Sequence, residues 1–192
     1  MNVYDFDGTV YHGDSSVDFC LFVMRRHPGA LRHLPAFAAA AVQKKTGRIS
    51  TRELKEIYFR FLTDIPDLCQ ELMQFWQSHE HKMMQWYLDI RQPTDVVISA
   101  SPEFLLDPIC RKLGIGTLIA SQVDTKTGQF LGENCKGQEK VKRFRAVFPE
   151  GKIERFYSDS ASDLPMARLA AQAFLVKKGS PAPWEIRKGA RQ

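Results

Sequence analysis

The chain lacks a hydrophobic segment long enough to cross a bilayer, and it lacks paired cysteine motifs. No apolar run approaches the roughly 20 residues that a spanning helix needs, and the longest, Leu34 to Val42, is short and flanked by basic residues. Cys20, Cys69, Cys110 and Cys135 follow no Cys-x-x-Cys spacing, which is typical of a reducing cytoplasm rather than of a disulfide framework. The chain opens on an apolar strand and two acids rather than on basic residues, so we expect no signal peptide.

Acidic residues are missing from one long stretch. From Phe19 to Arg52 there are seven Lys or Arg residues and no Asp or Glu, although the net charge of the whole chain is only +5. A solvated helical face and attraction to an anionic substrate or a membrane surface explain this asymmetry equally well. Nucleic acid is disfavoured as a partner, because aromatic residues are not interleaved with the basic ones in a stacking arrangement.

The spacing of apolar residues divides the chain into three zones. Residues 1–6 form a predicted strand, residues 14–92 keep a helical period, and strand and helix patterns alternate afterwards. The run Asp95 to Ser99 is nearly all apolar, as in a parallel strand buried on both faces. We therefore predict an α/β fold, a Rossmann-like parallel sheet with helices on both faces and an inserted all-helical cap.

The predicted boundaries follow from these zones. The α/β core comprises residues 1–13 and 93–192, and the cap comprises residues 14–92. Within the core, Ser101-Pro102 starts a helix that ends at Gly114, and a small β-hairpin lies near 121–132. The remaining predictions are strands at 117–121, 153–157 and 173–176 and helices at 136–147 and 164–171.

Polar side chains follow the predicted strands at the points where the strands end. Ligands of open α/β sheets bind beyond the carboxyl ends of the strands, so these residues should meet at one edge. Carboxylates from two strands, a lysine and small hydroxyl residues favour a site for Mg²⁺ and a phosphate group. The residues concerned are Asp5, Asp7, Ser99, Ser101, Lys136, Asp159, Ser160, Ser162 and Asp163.

The same residues resemble the four signature motifs of the haloacid dehalogenase superfamily, and within it the branch that includes the phosphoserine phosphatases. The inserted helices lie where that branch carries its helical cap. The motifs, in order, are Asp5-Phe-Asp7-Gly-Thr9, Val97-Ile-Ser99-Ala-Ser101, Lys136 in Cys-Lys-Gly-Gln-Glu, and Tyr157-Ser-Asp159-Ser-Ala-Ser-Asp163.

The resemblance implies a Mg²⁺-dependent phosphatase. Asp5 would be the nucleophile that forms an aspartyl-phosphate, and Asp7 would protonate the leaving alcohol and later deprotonate the attacking water. Mg²⁺ would be held by the Asp5 carboxylate, the backbone carbonyl of Asp7 and Asp159. Asp163 would lie close by, contacting the ion through water or orienting Lys136.

The resemblance also implies a set of phosphate contacts. Lys136 would be a catalytic cation as well as a phosphate ligand. Ser101 as a helix N-cap and Thr9 as a turn residue are the structural alternatives to a phosphate contact. The implied phosphate-binding residues are Gly8, Thr9, Ser99, Ala100, Ser101, Lys136 and Ser162.

The residues of the predicted cap do not identify the substrate. The acid with which phosphoserine phosphatases read their substrate corresponds to Asp14, whereas their cap arginine falls near Glu56 or Tyr58, which argues against phosphoserine. The basic stretch favours a small anionic molecule or a lipid phosphate, with peripheral membrane contact left open. Two other functions remain as alternatives, a receiver-like phospho-switch and a metal-independent dehalogenase.

Overall fold

A six-stranded sheet organises residues 1–186, which this computed structural model describes. The strand order is β3-β2-β1-β4-β5-β6, and every neighbouring pair is parallel except the antiparallel β5–β6 hairpin. This confirms the predicted α/β fold with a mostly parallel sheet. The strands are β1 Asn2–Tyr4, β2 Val96–Pro102, β3 Thr117–Ser121, β4 Ile153–Ser158, β5 Ala170–Lys177 and β6 Ser180–Pro183.

Five of the α-helices lie between β1 and β2, in the region predicted to form a cap. Three follow later in the chain, where they alternate with strands. The helices are α1 Ser15–Arg26, α2 Leu34–Lys45, α3 Thr51–Tyr58, α4 Leu68–His79, α5 Gln85–Ile90, α6 Glu103–Lys112, α7 Gln138–Val147 and α8 Leu164–Ala167. No helix within residues 1–186 is long and apolar enough to cross a membrane.

Two hydrophobic cores cover the two faces of the sheet. Successive strand residues point to opposite faces, so Val3 packs in one core with Phe144 of α7, while Tyr4 packs in the other. The Tyr4 core continues into the inserted helices, where it includes Phe75. Trp76 of α4 also donates from Nε1 to the carbonyl of Leu105 at 2.7 Å. The inserted helices are therefore packed against the sheet side that carries α6.

Several predicted boundaries differ from the structure. The predicted helix at 164–171 ends at Ala167, because Ala170 already pairs with Ile153 as the first residue of β5. The predicted hairpin near 121–132 is reduced to a turn closed by the isolated antiparallel bridge Val123–Phe130. No strand was predicted at the position of β6. The division into a core and a cap at residues 13/14 and 92/93 stays a prediction, and residues 187–192 of that core lie outside the described residues.

Candidate active site

The carboxyl ends of β1, β2 and β4 surround an open cavity of about 460 Å³. It contains most of the predicted site residues. Five further polar residues, Asp14, Thr51, Lys55, Asn134 and Lys140, also line it. The predicted residues in its lining are Asp5, Asp7, Gly8, Ser99, Ala100, Ser101, Lys136, Asp159, Ser160, Ser162 and Asp163.

Asp5 and Asp7 reach the cavity because β1 ends immediately before them. The Asp5 N–H donates to the Tyr157 carbonyl at 2.9 Å, and Phe6 is fully buried in the core between the two acids. Gly8 then turns the chain with φ +70°, and a Cβ there would lie 2.1 Å from Asp159 Oδ2. Only glycine therefore leaves room for this carboxylate.

The predicted phosphate contact through the Gly8 amide finds no support in this arrangement. The Gly8 N–H already donates to the carbonyl of Gly13 at 2.9 Å. Thr9 does not line the cavity either: it is fully buried, and its Oγ1 accepts the Asp159 N–H at 2.9 Å. Thr9 thus ties the end of β1 to the end of β4.

A buried lysine joins the two carboxylates of the first and fourth motifs. Lys140 Nζ lies 2.7 Å from Asp5 Oδ1 and 2.6 Å from Asp163 Oδ2, and the lysine side chain is 2% exposed. The motif resemblance had pointed to Lys136 for this place. Lys140 and Phe144 stand four residues apart and are both buried, so the helical spacing on α7 was the signal that could have identified it.

Lys136 itself occupies a different position. Its residue is exposed and lines the cavity, but within residues 1–186 its Nζ makes no ion pair with Asp5 or Asp163. The reason is local: Gly137 has φ +58° and α7 begins only at Gln138, so Lys136 precedes the helix and does not share its inner face. The prediction that Asp163 orients Lys136 is corrected, because Asp163 contacts Lys140.

The charges of this cluster oppose one another. Burial raises the pKa of Asp5 to about 7, Lys140 opposes that rise, and Asp163 adds to it. Burial alone would lower the pKa of Lys140, but Asp5 and Asp163 raise it above its ordinary value. Lys140 is therefore a permanent cation between two acids.

Asp7 is held by two donors from different elements. Its Oδ1 accepts the N–H of Ser15, the first residue of α1, at 2.6 Å, and its Oδ2 accepts the hydroxyl of Ser101. Burial raises the pKa of Asp7 to about 6, Asp14 adds to the rise, and the Ser101 and Ser15 hydrogen bonds oppose it. Of the two roles considered for Ser101, the N-cap is wrong, because β2 extends to Pro102, which occupies the N-cap of α6.

The C-terminal end of β2 is fixed by a hydrogen-bond network that reaches into the inserted helices. Ser99 Oγ accepts the N–H of Ser101 at 3.0 Å. The Ala100 carbonyl accepts from Ser121 Oγ at 3.1 Å and from Lys55 Nζ at 2.9 Å. Lys55 also donates to Asn134 Oδ1 at 3.1 Å. A cation from α3 thereby joins the second and third motifs.

The cap arginine of the phosphoserine phosphatases was expected to fall near Glu56 or Tyr58, and neither of these residues lines the cavity. Glu56 Oε1 accepts the Phe130 N–H at 3.2 Å, and Tyr58 donates to the Ser16 carbonyl at 2.8 Å. Lys55 is half-buried, and burial lowers the pKa of its ammonium group. It lies one residue before Glu56 on α3.

The residues after β4 complete the cavity edge. The Ser158 hydroxyl donates to Asp163 Oδ2 at 2.9 Å, and the hydroxyls of Ser160 and Ser162 lie 2.9 Å apart. Burial raises the pKa of Asp159, and Asp163 adds to that rise. Asp163 thus raises the pKa of both Asp5 and Asp159, and Lys140 opposes the rise at each of them.

The donor set fits a magnesium ion in one respect. Three carboxylates, those of Asp5, Asp159 and Asp163, line the cavity with one buried lysine, Lys140, and carboxylate oxygens are the ligands Mg²⁺ prefers. Within residues 1–186 no three acidic, histidine or cysteine side chains are grouped closely enough to hold a metal by themselves. A site built from two carboxylates and a backbone carbonyl, as the motifs imply, is compatible with this geometry.

Comparisons with known proteins agree with the fold. The chain belongs to the haloacid dehalogenase-like hydrolase family, whose model matches residues 3–168. It is 26% identical over 199 residues to Protein CicA of Caulobacter vibrioides, covering 93% of this chain and 87% of that protein. It is 29% identical over 144 residues to a histidinol-phosphatase of Neisseria meningitidis serogroup C, covering 67% and 60%.

The fold is also similar to that of solved phosphoserine phosphatase-like members of the family. The crystal structure of a "probable phosphoserine phosphatase" from Vibrio cholerae superposes with a TM-score of 0.67 at 16% identity, covering 90% of this chain and 55% of that one. At this identity the likeness concerns the fold alone.

Proposed function

We propose that this hydrolase is a Mg²⁺-dependent phosphatase that cleaves a phosphomonoester through an aspartyl-phosphate on Asp5. The observation that carries the proposal is the buried Asp5 carboxylate at the end of β1, which forms an ion pair with Lys140. Asp7 lies two residues further along the chain and is held by other donors, among them the Ser15 N–H. The two acids have different environments, which suits a nucleophile and a proton carrier. In this proposal residues 14–92 act as the cap over a core of residues 1–13 and 93–192.

Asp5 and Asp7 would divide the reaction between them. An Asp5 oxygen attacks phosphorus and forms the acyl-phosphate bond while the bond from phosphorus to the ester oxygen breaks. The proton on Asp7 passes to that leaving oxygen. Asp7 then takes a proton from water as the water oxygen attacks phosphorus, which releases phosphate and restores the Asp5 carboxylate.

Positive charge is needed before this attack can occur, because a carboxylate and a phosphate dianion repel each other. Lys140 supplies a fixed cation beside Asp5, and Lys136 and Lys55 add two more at the cavity edge. Mg²⁺ held by the Asp5 carboxylate, the Asp7 carbonyl and Asp159, with Asp163 nearby, would supply the remaining charge neutralisation. Ser99, Ser162 and the Ala100 amide are the proposed hydrogen-bond donors to the phosphoryl oxygens.

The substrate is proposed as a phosphomonoester with an anionic or lipid leaving group. Lys55 reaches the cavity from α3 without an acidic partner within 4.0 Å among the described residues. A half-buried cation in this position favours a negatively charged group on the substrate. Asp14 lines the same cavity, so the negatively charged group of the substrate must bind away from the Asp14 carboxylate.

Removal of the metal provides the direct test of the proposed function. We expect release of inorganic phosphate from p-nitrophenyl phosphate in Mg²⁺, loss of that release in excess chelator, and recovery when Mg²⁺ is restored. Isothermal titration with Mg²⁺ alone checks binding independently of turnover. A protein that becomes stably phosphorylated without releasing phosphate would instead be a receiver-like switch, and halide release without metal would establish a dehalogenase.

Replacement of Asp7 should separate the two chemical steps. With Asp7→Asn we expect turnover of an alkyl phosphate to fall by roughly 10²- to 10⁴-fold, the usual size of general acid–base catalysis. Phosphoryl transfer to Asp5 from p-nitrophenyl phosphate should fall far less, because p-nitrophenolate leaves without a proton. The burst of p-nitrophenol and the alkyl phosphate turnover measure these two effects. Equal losses for both substrates in the first step would contradict the acid role.

A further inference from the structure

One surface of the inserted helices is apolar although it faces solvent. Nine large hydrophobic residues are exposed within residues 1–186, and five of them fall between residues 17 and 42. The other four, Met73, Ile90, Leu131 and Val147, are spread over separate parts of the chain. The five that cluster are Val17, Leu21, Leu31, Leu34 and Val42.

Helix α2 is unusual for a surface helix of a globular protein. Such a helix normally turns its apolar stripe toward the core, but in α2 only Ala40 is buried. Its exposed residues include Pro35, Ala36 and Val42, and charge appears only at its end, in Lys44 and Lys45. The apolar composition of this helix is therefore not explained by packing within the chain.

A groove beside α2 would accept an apolar group. It encloses about 190 Å³ between α1 and α2, and its walls include Leu21, Met24 and Phe37. The two polar side chains in its lining are already engaged: His33 Nε2 lies 2.8 Å from Asp64 Oδ2, and the Tyr58 hydroxyl donates to the Ser16 carbonyl. The rest of the lining is made of apolar and sulfur-containing side chains.

The rim of this surface carries more basic than acidic side chains. Within residues 1–186, Arg26 and Arg32 pair with Glu71 and Asp64. The other basic residues of the rim have no acidic side chain within 4.0 Å. These are Arg25, Lys44, Lys45 and Arg48.

We propose that this surface, made of α1, α2 and the connecting residues 28–33, binds the face of an anionic phospholipid membrane. Apolar side chains would enter the boundary between headgroups and acyl chains, and the basic rim would meet the lipid charges. A second copy of the chain fits poorly, because a two-fold contact would oppose two identical rims that each carry an excess of positive charge. The positive charge of the rim thus favours an anionic membrane over a second copy of this chain as the partner.

The surface adjoins the catalytic cavity. Tyr58 forms part of the groove and lies one helical turn beyond Lys55, which lines the cavity. Ser16, which accepts the Tyr58 hydroxyl through its carbonyl, also contacts the Ser101 hydroxyl at 3.1 Å. The proposal that this surface binds a membrane does not depend on any catalytic role. The further idea that the bilayer presents the substrate also rests on the proposed function.

Co-sedimentation with vesicles tests the proposal. We expect the wild-type chain to bind vesicles of phosphatidylglycerol and phosphatidylcholine at least tenfold more tightly than pure phosphatidylcholine vesicles. The preference should shrink between about 0.1 M and about 1 M salt, as the Debye length falls from about 10 Å to about 3 Å. Equal binding to both vesicles, or none at low salt, would overturn it.

Matched variants locate the binding surface. Leu34→Glu should weaken binding at least tenfold, whereas Val147→Glu, which changes an equally exposed residue on α7, should not. The double change Lys44→Gln with Lys45→Gln should weaken binding by roughly 25-fold, about fivefold per basic residue. Lys142→Gln with Lys152→Gln is its control on the far side of the sheet.

Two further measurements complete the test. Thermal unfolding verifies that each variant is folded, and sedimentation velocity without lipid measures self-association. Equal losses in the surface and control variants would refute the location. A wild-type dimer that Leu34→Glu dissociates, with vesicle binding unaltered, would assign the surface to a second copy and overturn the membrane proposal.

Discussion

Asp5→Asn is expected to abolish phosphate release, with a fall in kcat of about a million-fold, the scale on which loss of a covalent nucleophile acts in hydrolases. The amide oxygen that replaces the carboxylate cannot form the acyl-phosphate, and no other described acid takes its place beside Lys140 except Asp163, which follows a different strand. Steady-state release from p-nitrophenyl phosphate measures the loss. Mass spectrometry of the wild type after a rapid acid quench should find the phosphoryl group on the peptide that contains Asp5.

The fold should survive this change. Asp5 is 8% exposed, and burial, with a smaller contribution from Asp163, raises its pKa to about 7 against the opposing effect of Lys140, so the carboxylate is held at some electrostatic cost. An amide of the same shape removes its repulsion with Asp163 while Lys140 keeps one acidic partner. We therefore expect a free energy of unfolding within about 1 kcal/mol of the wild type. Wild-type turnover in Asp5→Asn, or phosphorylation of a different residue, would refute the nucleophile assignment.

The sequence was sufficient to predict which residues lie at the site where a motif coincides with the end of a strand. Asp5, Asp7 and Asp159 follow strands and Ser99 lies near the end of one, and parallel strands must present their carboxyl ends on one edge. The structure places all four along the cavity. Their proximity follows from topology, so it required no knowledge of side-chain packing.

The parts that could not be predicted depend on side-chain direction and on the boundaries of elements. Whether Lys136 or Lys140 reaches Asp5 is decided by the point at which α7 begins, and the positive φ of Gly137 delays that point to Gln138. Ser101, which contacts Asp7, lies within β2, because that strand extends to Pro102, beyond its predicted end at Ser99. Lys55 enters the site only through its contacts with Ala100 of β2 and with Asn134.

Lys140 and Lys136 should differ sharply when each is replaced by methionine. Lys140→Met removes the cation between Asp5 and Asp163 and leaves two buried acids facing each other, so kcat should fall by at least roughly 10²- to 10³-fold. The same change should lower the free energy of unfolding by about 3–5 kcal/mol, as expected when one partner of a buried ion pair is removed. Lys136→Met removes an exposed cation without these contacts, and we expect a loss of activity of about tenfold or less with stability unchanged.

A loss of activity through misfolding must be separated from a loss of catalysis in Lys140→Met. Urea unfolding of Lys140→Met, Asp163→Asn and the double variant forms a cycle that measures the coupling of this pair. Because Asp163→Asn removes one of the two acids left unpaired, the double variant should regain part of the lost stability. It should not regain activity, since Asp5 would still lack its cation during attack on a phosphate dianion. If Lys136→Met lost more activity than Lys140→Met, or if the double variant regained turnover, the catalytic cation would be Lys136, as the motif resemblance first implied.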